Sequence, residues 1–356
     1  MSEPELPNPP EVAPIRPGEE LDEARVEAYL KAQIPGLNGP MEVLQFPGGH
    51  ANLTYLVRFG ERELVLRRPP LGPVAPRSHD MAREYRVLSR LADHFPPAPH
   101  AYLLCEDPEI VGATFIVMER RRGIVVRFSV PPEIDRHPDA RRRMSHALID
   151  VMADFHDVDY EAIGLGDLGH PEGFIERQVR GWKQRWERAK HEERPRFDEM
   201  HRWLVSEMPK SARAGLVHND LKFDNVMLDP KDPGHVVAIL DWDMTTLGDP
   251  LVDLGTLLCY WAQADDPDVR GATPSVTAQP GFPTRAEITS RYAERRGIAV
   301  ESLVWYEAFG LWKTAVVLQQ IYIRYLRGQT RDERFVYLGE RVPALVEAAA
   351  TVAGLG

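Results

Sequence analysis

Three short runs near the start of the chain mix apolar and β-branched residues with polar ones at the period of strands: MEVLQF (41–46), TYLVRF (54–59) and ELVLRR (63–68). Gly48-Gly49 separates the first two, and Gly60-Glu61-Arg62 supplies a hairpin turn between the second and third. Two helical patterns flank them. One covers about 21–32, with Leu21, Val26, Tyr29 and Leu30 apolar; the other covers about 78–94, with Met81, Tyr85, Leu88 and Leu91 on one face. AYLLC (101–105) and TFIVM (114–118) complete a small antiparallel sheet with one helix packed on it.

Past Arg122 the period becomes helical, at about 138–157, 172–190, 196–207, 287–296, 301–326 and 333–350. Two β signals interrupt these helices, NVMLD (225–229) and VVAILD (236–241). The pattern predicts an α+β protein with a flexible, Pro- and Glu-rich arm at 1–18, an N-terminal lobe at 19–119 and a mainly helical lobe at 120–356. The Pro- and Gly-bearing stretch 265–283 reads as a loop.

Composition narrows the class. With 356 residues, 43% hydrophobic and 27% charged, the chain is an ordinary globular protein with a core. A net charge of -11 argues against a general nucleic-acid or anionic-membrane surface. Two distant cysteines, Cys105 and Cys259, argue against a disulfide framework or a zinc site and fit the cytoplasm. The start carries no cationic segment followed by an apolar run, and the best apolar stretch, 251–262, holds Asp253. Neither a signal peptide nor a membrane span is expected. No CxxC, HExxH or GxSxG supports a zinc or serine hydrolase.

The chemistry concentrates in GLVHNDLKFDNVMLD (215–229) and VVAILDWDMTTLGDPLVDLG (236–255). A hairpin between the two β signals, turning at 230–234, brings Asn225 and Asp241 together because each sits at a strand end. One amide oxygen and one carboxylate form a hard-oxygen pair suited to Mg²⁺, which takes its other ligands from water and phosphates. Asp220 is left free of the metal to accept a hydroxyl proton, and Lys222 aims a cation at a transferring phosphoryl group. Two Asp-bearing turns in this order, followed by Gly248-Asp249-Pro250 and Asp253-Leu254-Gly255, exceed what turn propensity alone explains. His218 reads as a residue that holds the loop, and Asp249 and Asp253 as backbone anchors. Asp243 fits either a place behind the metal or a plain turn.

His218-x-Asp220-x-x-x-x-Asn225 with a later Asp241 resembles the catalytic loop and metal-binding Asp of the kinase superfamily. HND and Asp-Trp-Asp, with the trailing GDP and DLG, resemble the aminoglycoside phosphotransferase family in particular. The resemblance implies a protein-kinase-like bilobal fold, ATP with Mg²⁺ between the lobes, Asp220 as catalytic base, and Asn225 and Asp241 on the metal. It also implies a hinge near Met118 to Arg120, where backbone groups meet the adenine edge.

In the first lobe, PGGHANLTYLV (47–57) places Gly48, Gly49 and Asn52 where backbone amides can approach phosphates. Glu84 falls on the apolar face of its helix, three residues from Met81 and four from Leu88, and a carboxylate there needs a cation. Arg67 is the candidate partner; a Glu at the rim of the face, reaching to solvent, is the alternative. Arg stands where the wider superfamily has Lys. The strand VLRRPP and helix REYRVL resemble one branch, similar to the kinase-like domain fused to certain eukaryotic acyl-CoA dehydrogenases. Which of Arg67 and Arg68 meets phosphate stays open.

That branch implies a hydroxylated acyl-CoA or another small alcohol as acceptor, ahead of an aminoglycoside. A catalytically silent nucleotide-binding module is the reading from another class. The basic residues Arg120 to Arg122 and Arg127 could meet an anionic substrate or lie in solvent. Trp182 and Trp186, spaced i,i+4, read as helix packing. His156 reads as a cap or core residue.

Overall fold

The computed structural model describes residues 11–47, 52–71, 79–211, 213–266, 275–299, 303–330 and 333–356. Gly48 and Gly49 lie outside these residues. The first sheet contains β1 (Met41–Gln45), β2 (Leu53–Phe59), β3 (Arg62–Arg68), β4 (Ala101–Cys105) and β5 (Phe115–Glu119), with α1 (Glu23–Gln33), α2 (Met81–Leu91) and a single turn of helix, α3 (Pro108–Val111). Strand order is β1-β2-β3-β5-β4, antiparallel throughout. Asp22 and Asp80 start α1 and α2 by accepting hydrogen bonds from the amides of Arg25 at 3.1 Å and Arg83 at 3.0 Å.

The two faces of this sheet have different neighbours. One carries Tyr55, Val57, Leu64, Leu66 and Phe115 against Val26 and Leu30 of α1. The other carries Val65, Ile116 and Met118 against Val87, Leu88 and Leu91 of α2, in an apolar core that continues into the rest of the chain. Each fully buried Leu or Val contributes roughly 1.5–3 kcal/mol. From Glu11 onward, the segment read as an arm lies along β1. Ala13 bridges Gln45, and the Arg16 amide donates to the Gln45 side chain at 2.8 Å.

The second half holds β6 (Ile124–Val125), a short α4 (Pro132–Asp135), α5 (Ala140–His156), α6 (Phe174–Ala189), α7 (Pro195–Ser206), β7 (Gly215–Val217), β8 (Val226–Asp229), β9 (Asp232–Ile239) and β10 (Thr246–Gly248). It ends with α8 (Leu251–Tyr260), α9 (Arg285–Arg296), α10 (Leu303–Leu326) and α11 (Leu338–Val352). β8 and β9 form the expected hairpin with β6 at its edge, and β7 pairs with β10. α8 and α10 cross at two glycines. A Cβ on Gly255 would lie 2.8 Å from Tyr306 Cβ and overlap the Tyr306 carbonyl, and one on Gly310 would overlap the Gly255 carbonyl. Among the described residues no helix is long and apolar enough to cross a membrane.

Candidate active site

The loop after β7 carries His218, Asn219 and Asp220, and its backbone is fastened from below. Asp253 of α8 is fully buried and accepts the amides of His218 and Asn219, each at 2.6 Å. Burial alone would raise its pKa, but the bonds from His156 and from the His218 backbone amide outweigh this and hold it below the usual carboxylate range. His156 spends its other ring nitrogen on the Tyr292 hydroxyl at 2.7 Å. His218 Nε2 meets the Leu240 carbonyl at 3.0 Å, and its Nδ1 accepts the Asp220 amide at 3.3 Å. A ring engaged twice with backbone holds the loop. Asn219 itself sits in the left-handed region at φ 70°, which Asn tolerates better than most residues.

The β8–β9 register pairs Val226 with Ile239, and the Leu240 amide donates to the Asn225 carbonyl at 2.8 Å. Asn225 and Asp241 therefore leave the hairpin at the same end. The Asn225 Nδ2 group donates to both the Asp220 carbonyl and the Asp220 carboxylate, each at 2.8 Å. With its nitrogen committed to Asp220, the amide leaves its oxygen as the atom able to take a cation. Lys222 pairs with the other Asp220 oxygen and lies 5.0 Å above the Tyr260 ring. Asp241 is left-handed at φ 67°, while the next side chain, Trp242, is buried and donates to the Ile239 carbonyl at 2.8 Å. That indole anchors the turn between Asp241 and Asp243.

Arg67 meets two carboxylates at once. Its Nε lies 3.1 Å from Glu84, and a terminal nitrogen pairs with Asp241. Burial would depress the guanidinium, but Glu84 and Asp241 hold it firmly charged. Burial pushes Glu84 up to about 7 against the pull of Arg67, because one cation serves several carboxylates and Glu84 is the most enclosed. Asp241 resists the same burial through Arg67 and stays below its ordinary value. Asp243 is raised by burial and by the neighbouring charge of Asp241. Arg68 points to the opposite face of the sheet and donates to the Val111 carbonyl. Of the two arginines left open by the sequence, only Arg67 lines the cleft.

The cleft is a cavity of about 1040 Å³ whose walls include Val65, Arg67, Met118, Asn225, Met227 and Asp241. Met118 is buried in β5 and lends apolar surface, whereas the Glu119 amide is already bonded to the His100 carbonyl at 2.8 Å. Arg120 pairs with Glu11 and lies 5.1 Å over the Phe46 ring, so it caps the mouth. Arg121 and Arg122 pair with Glu119 at 2.9 Å and Glu63 at 2.6 Å. Asn52 is buried and donates to Asp243 at 3.2 Å, tying the start of β2 to the turn after Trp242.

Several residues at the site were not singled out from sequence. Arg83 of α2 donates to the Thr245 carbonyl at 2.8 Å and the Leu168 carbonyl at 3.0 Å, locking the helix that carries Glu84. Lys313 of α10 reaches the Asn219 carbonyl at 3.2 Å. The one sequence signal for it was a lysine inside the apolar run LWKTAVV.

Comparison with known proteins gives this geometry a family. The model of the phosphotransferase enzyme family (APH) matches residues 42–287. Acyl-CoA dehydrogenase family member 10 of Mus musculus is 33% identical over 96% of this chain, and family member 11 of Rattus norvegicus is 32% identical over 94%. The chain spans only 32% and 43% of the length of these two relatives. A solved structure named for the aminoglycoside phosphotransferases, from Ralstonia eutropha, is 30% identical with a TM-score of 0.80, covering 94% of this chain and 99% of that one. Choline kinase from Cryptosporidium parvum shares the fold at a TM-score of 0.62 and 11% identity, over 94% of this chain and 96% of its own. The kinase-like bilobal architecture expected from the sequence is the one observed, and the chain belongs to the phosphotransferase enzyme family.

Proposed function

We propose that this protein moves the γ-phosphoryl group of ATP to a hydroxyl of a small molecule, with Asp220 as the base. The observation that carries the reading is the hairpin, which sets Asn225 beside Asp220 at the end of the cleft where Asp241 meets Arg67. The N-terminal lobe, 19–119, would hold the nucleotide, and the lobe at 120–356 would supply the catalytic loop and the acceptor site. The apolar walls at Val65, Met118 and Met227 suit a purine, with the hinge at Met118 to Arg120 beside it.

The Asn225 oxygen and the Asp241 carboxylate fit Mg²⁺, a hard cation that keeps waters and phosphate oxygens as its other ligands. When bound, the metal neutralises charge on the phosphates. The chain's own groups do the rest. Asp220 orients the acceptor hydroxyl and takes its proton. Lys222, now paired with Asp220, is within reach of charge that develops on the transferring group. Arg67, held by Glu84, is the cation for the phosphates, and Gly48 and Gly49 would let backbone amides approach them.

A hydroxyacyl-CoA-like thioester or another small alcohol metabolite suits the acceptor side better than an aminoglycoside. Lys222 and Lys313 are the charged side chains drawn to Asp220, and neither favours a polycation. The family relatives named as acyl-CoA dehydrogenases point the same way. A transfer screen with γ-labelled ATP tests this, using hydroxyacyl-CoAs, small alcohols and aminoglycosides as acceptors. Label is expected on a hydroxyacyl thioester. Thermal stabilisation by ATP without transfer to any acceptor would instead mark a silent nucleotide-binding module.

A further inference from the structure

We propose that Lys313 is a positioning residue for Asp220. From α10 its ammonium fixes the carbonyl of the 219–220 peptide, while Asp253 from α8 fixes the amides that precede it. The proposal rests on the reading of Asp220 as the base.

The loop has left-handed Asn219 just before Asp220, a conformation that Asn tolerates better than most residues and that neighbours here hold in place. Those neighbours are Asp253, the His218 ring and the Met244 carbonyl. Asp253 takes the amides of His218 and Asn219, the His218 ring takes the Asp220 amide, and the Asn219 side chain donates to the Met244 carbonyl at 2.9 Å. The Asn219 carbonyl would be the loose end of this arrangement. Lys313 Nζ takes it at 3.2 Å.

Burying an ammonium is costly, and Lys313 is only 6% exposed. Burial lowers its pKa, while Asp220 and Asp253 pull the other way. Its Nζ also lies 5.7 Å from the Trp182 ring centroid, a face that attracts a cation. A neutral donor could hold the carbonyl, but only a cation also offsets the carboxylates of Asp220 and Asp253 on the same loop. Turning the 219–220 peptide would re-aim the Asp220 side chain, and a misplacement of about 1 Å can cost a reaction on the order of 100-fold.

Two variants test this. Lys313→Met keeps the length and apolar stem and deletes the donor. Lys313→Cys, alkylated with 2-bromoethylamine, returns an ammonium at nearly the original reach, with the alkylated wild type as control. With γ-labelled ATP, Lys313→Met is expected to lose about 100-fold in kcat with KM for ATP unchanged, and alkylation of the cysteine variant is expected to recover most of its loss. Unchanged kcat in a folded Lys313→Met protein, or no recovery in a cysteine variant that mass spectrometry shows to be alkylated at position 313, would overturn the proposal. If the methionine variant does not fold, the alkylation arm decides. If the wild type transfers phosphate to no acceptor, water included, the functional reading fails instead. Crystallography of either folded variant before alkylation then decides: a turned 219–220 peptide upholds the positioning role, and an unmoved one refutes it.

Discussion

Arg67 and Asp241 lie 174 positions apart in sequence and form an ion pair across the cleft between the two lobes. The pair joins β3, the central strand of the first sheet, to the carboxylate proposed for the metal. It also leaves Glu84, at 3.1 Å, sharing the same guanidinium. Three features the sequence lists separately are thus one electrostatic unit.

Replacing Arg67 with Met would strand two carboxylates, one fully buried. Breaking a buried pair by removing one partner costs roughly 3–5 kcal/mol. Chemical denaturation of Arg67→Met should register a loss of that order, and calorimetry should find ATP affinity weakened. Arg67→Lys should keep most of the stability, because one cation remains between Glu84 and Asp241.

The catalytic assignment predicts a separation of binding from turnover. Asp220→Asn should lower kcat by about 100- to 10,000-fold, the range removed with a general base. Affinity for ATP with Mg²⁺, measured by calorimetry, should stay near that of the wild type. Near-normal turnover in this variant would end the assignment.

Glu84 makes stability depend on pH in a stated direction. Its folded pKa, about 7, lies above the ordinary 4.5, so the folded state holds the proton more tightly than the unfolded one. The stabilisation is complete below about 4.5 and disappears as pH rises through about 7. Unfolding free energies of wild type and Glu84→Gln, compared across this window without nucleotide, should show the wild type losing ground as pH rises. A constant difference between them would contradict the protonation of Glu84.

The crossing of α8 and α10 predicts a packing defect. A methyl on Gly255 or Gly310 meets backbone of the other helix, so neither site can absorb it by side-chain movement. Gly310→Ala should destabilise by about 1–3 kcal/mol, the usual cost of overpacking. It should also lower kcat, since α8 carries Asp253 and α10 carries Lys313. Thermal melting and steady-state kinetics on one preparation would register both effects.

Much of this was legible in the chain. The hairpin that unites Asn225 with Asp241 follows from two β signals and a turn, and the Arg67–Glu84 pair follows from a carboxylate on an apolar helical face. What escaped has physical reasons. β7 and β10 are three residues each, too short for a period-two pattern. α8 is so apolar that no helical period shows in it, and only Asp253 and the DLG motif marked the run. The arm carried no packing signal, yet from Glu11 onward it is held by backbone bonds between Ala13 and Gln45 and by the pairing of Glu11 with Arg120. Lys313 showed as a polar interruption in a helix, but only the fold could supply Asn219 as its partner.

Burial also divides α10 in two. From Leu303 to Val316 nearly every residue is buried, and this inner half is gripped through Gly255 and reaches the loop of Asn219 and Asp220 through Lys313. From Val317 to Leu326 most side chains are half-buried or exposed. One continuous rod therefore pairs a buried shank with a more open tip, and substitutions at the tip can reshape the surface it borders without disturbing the carboxylate at 220.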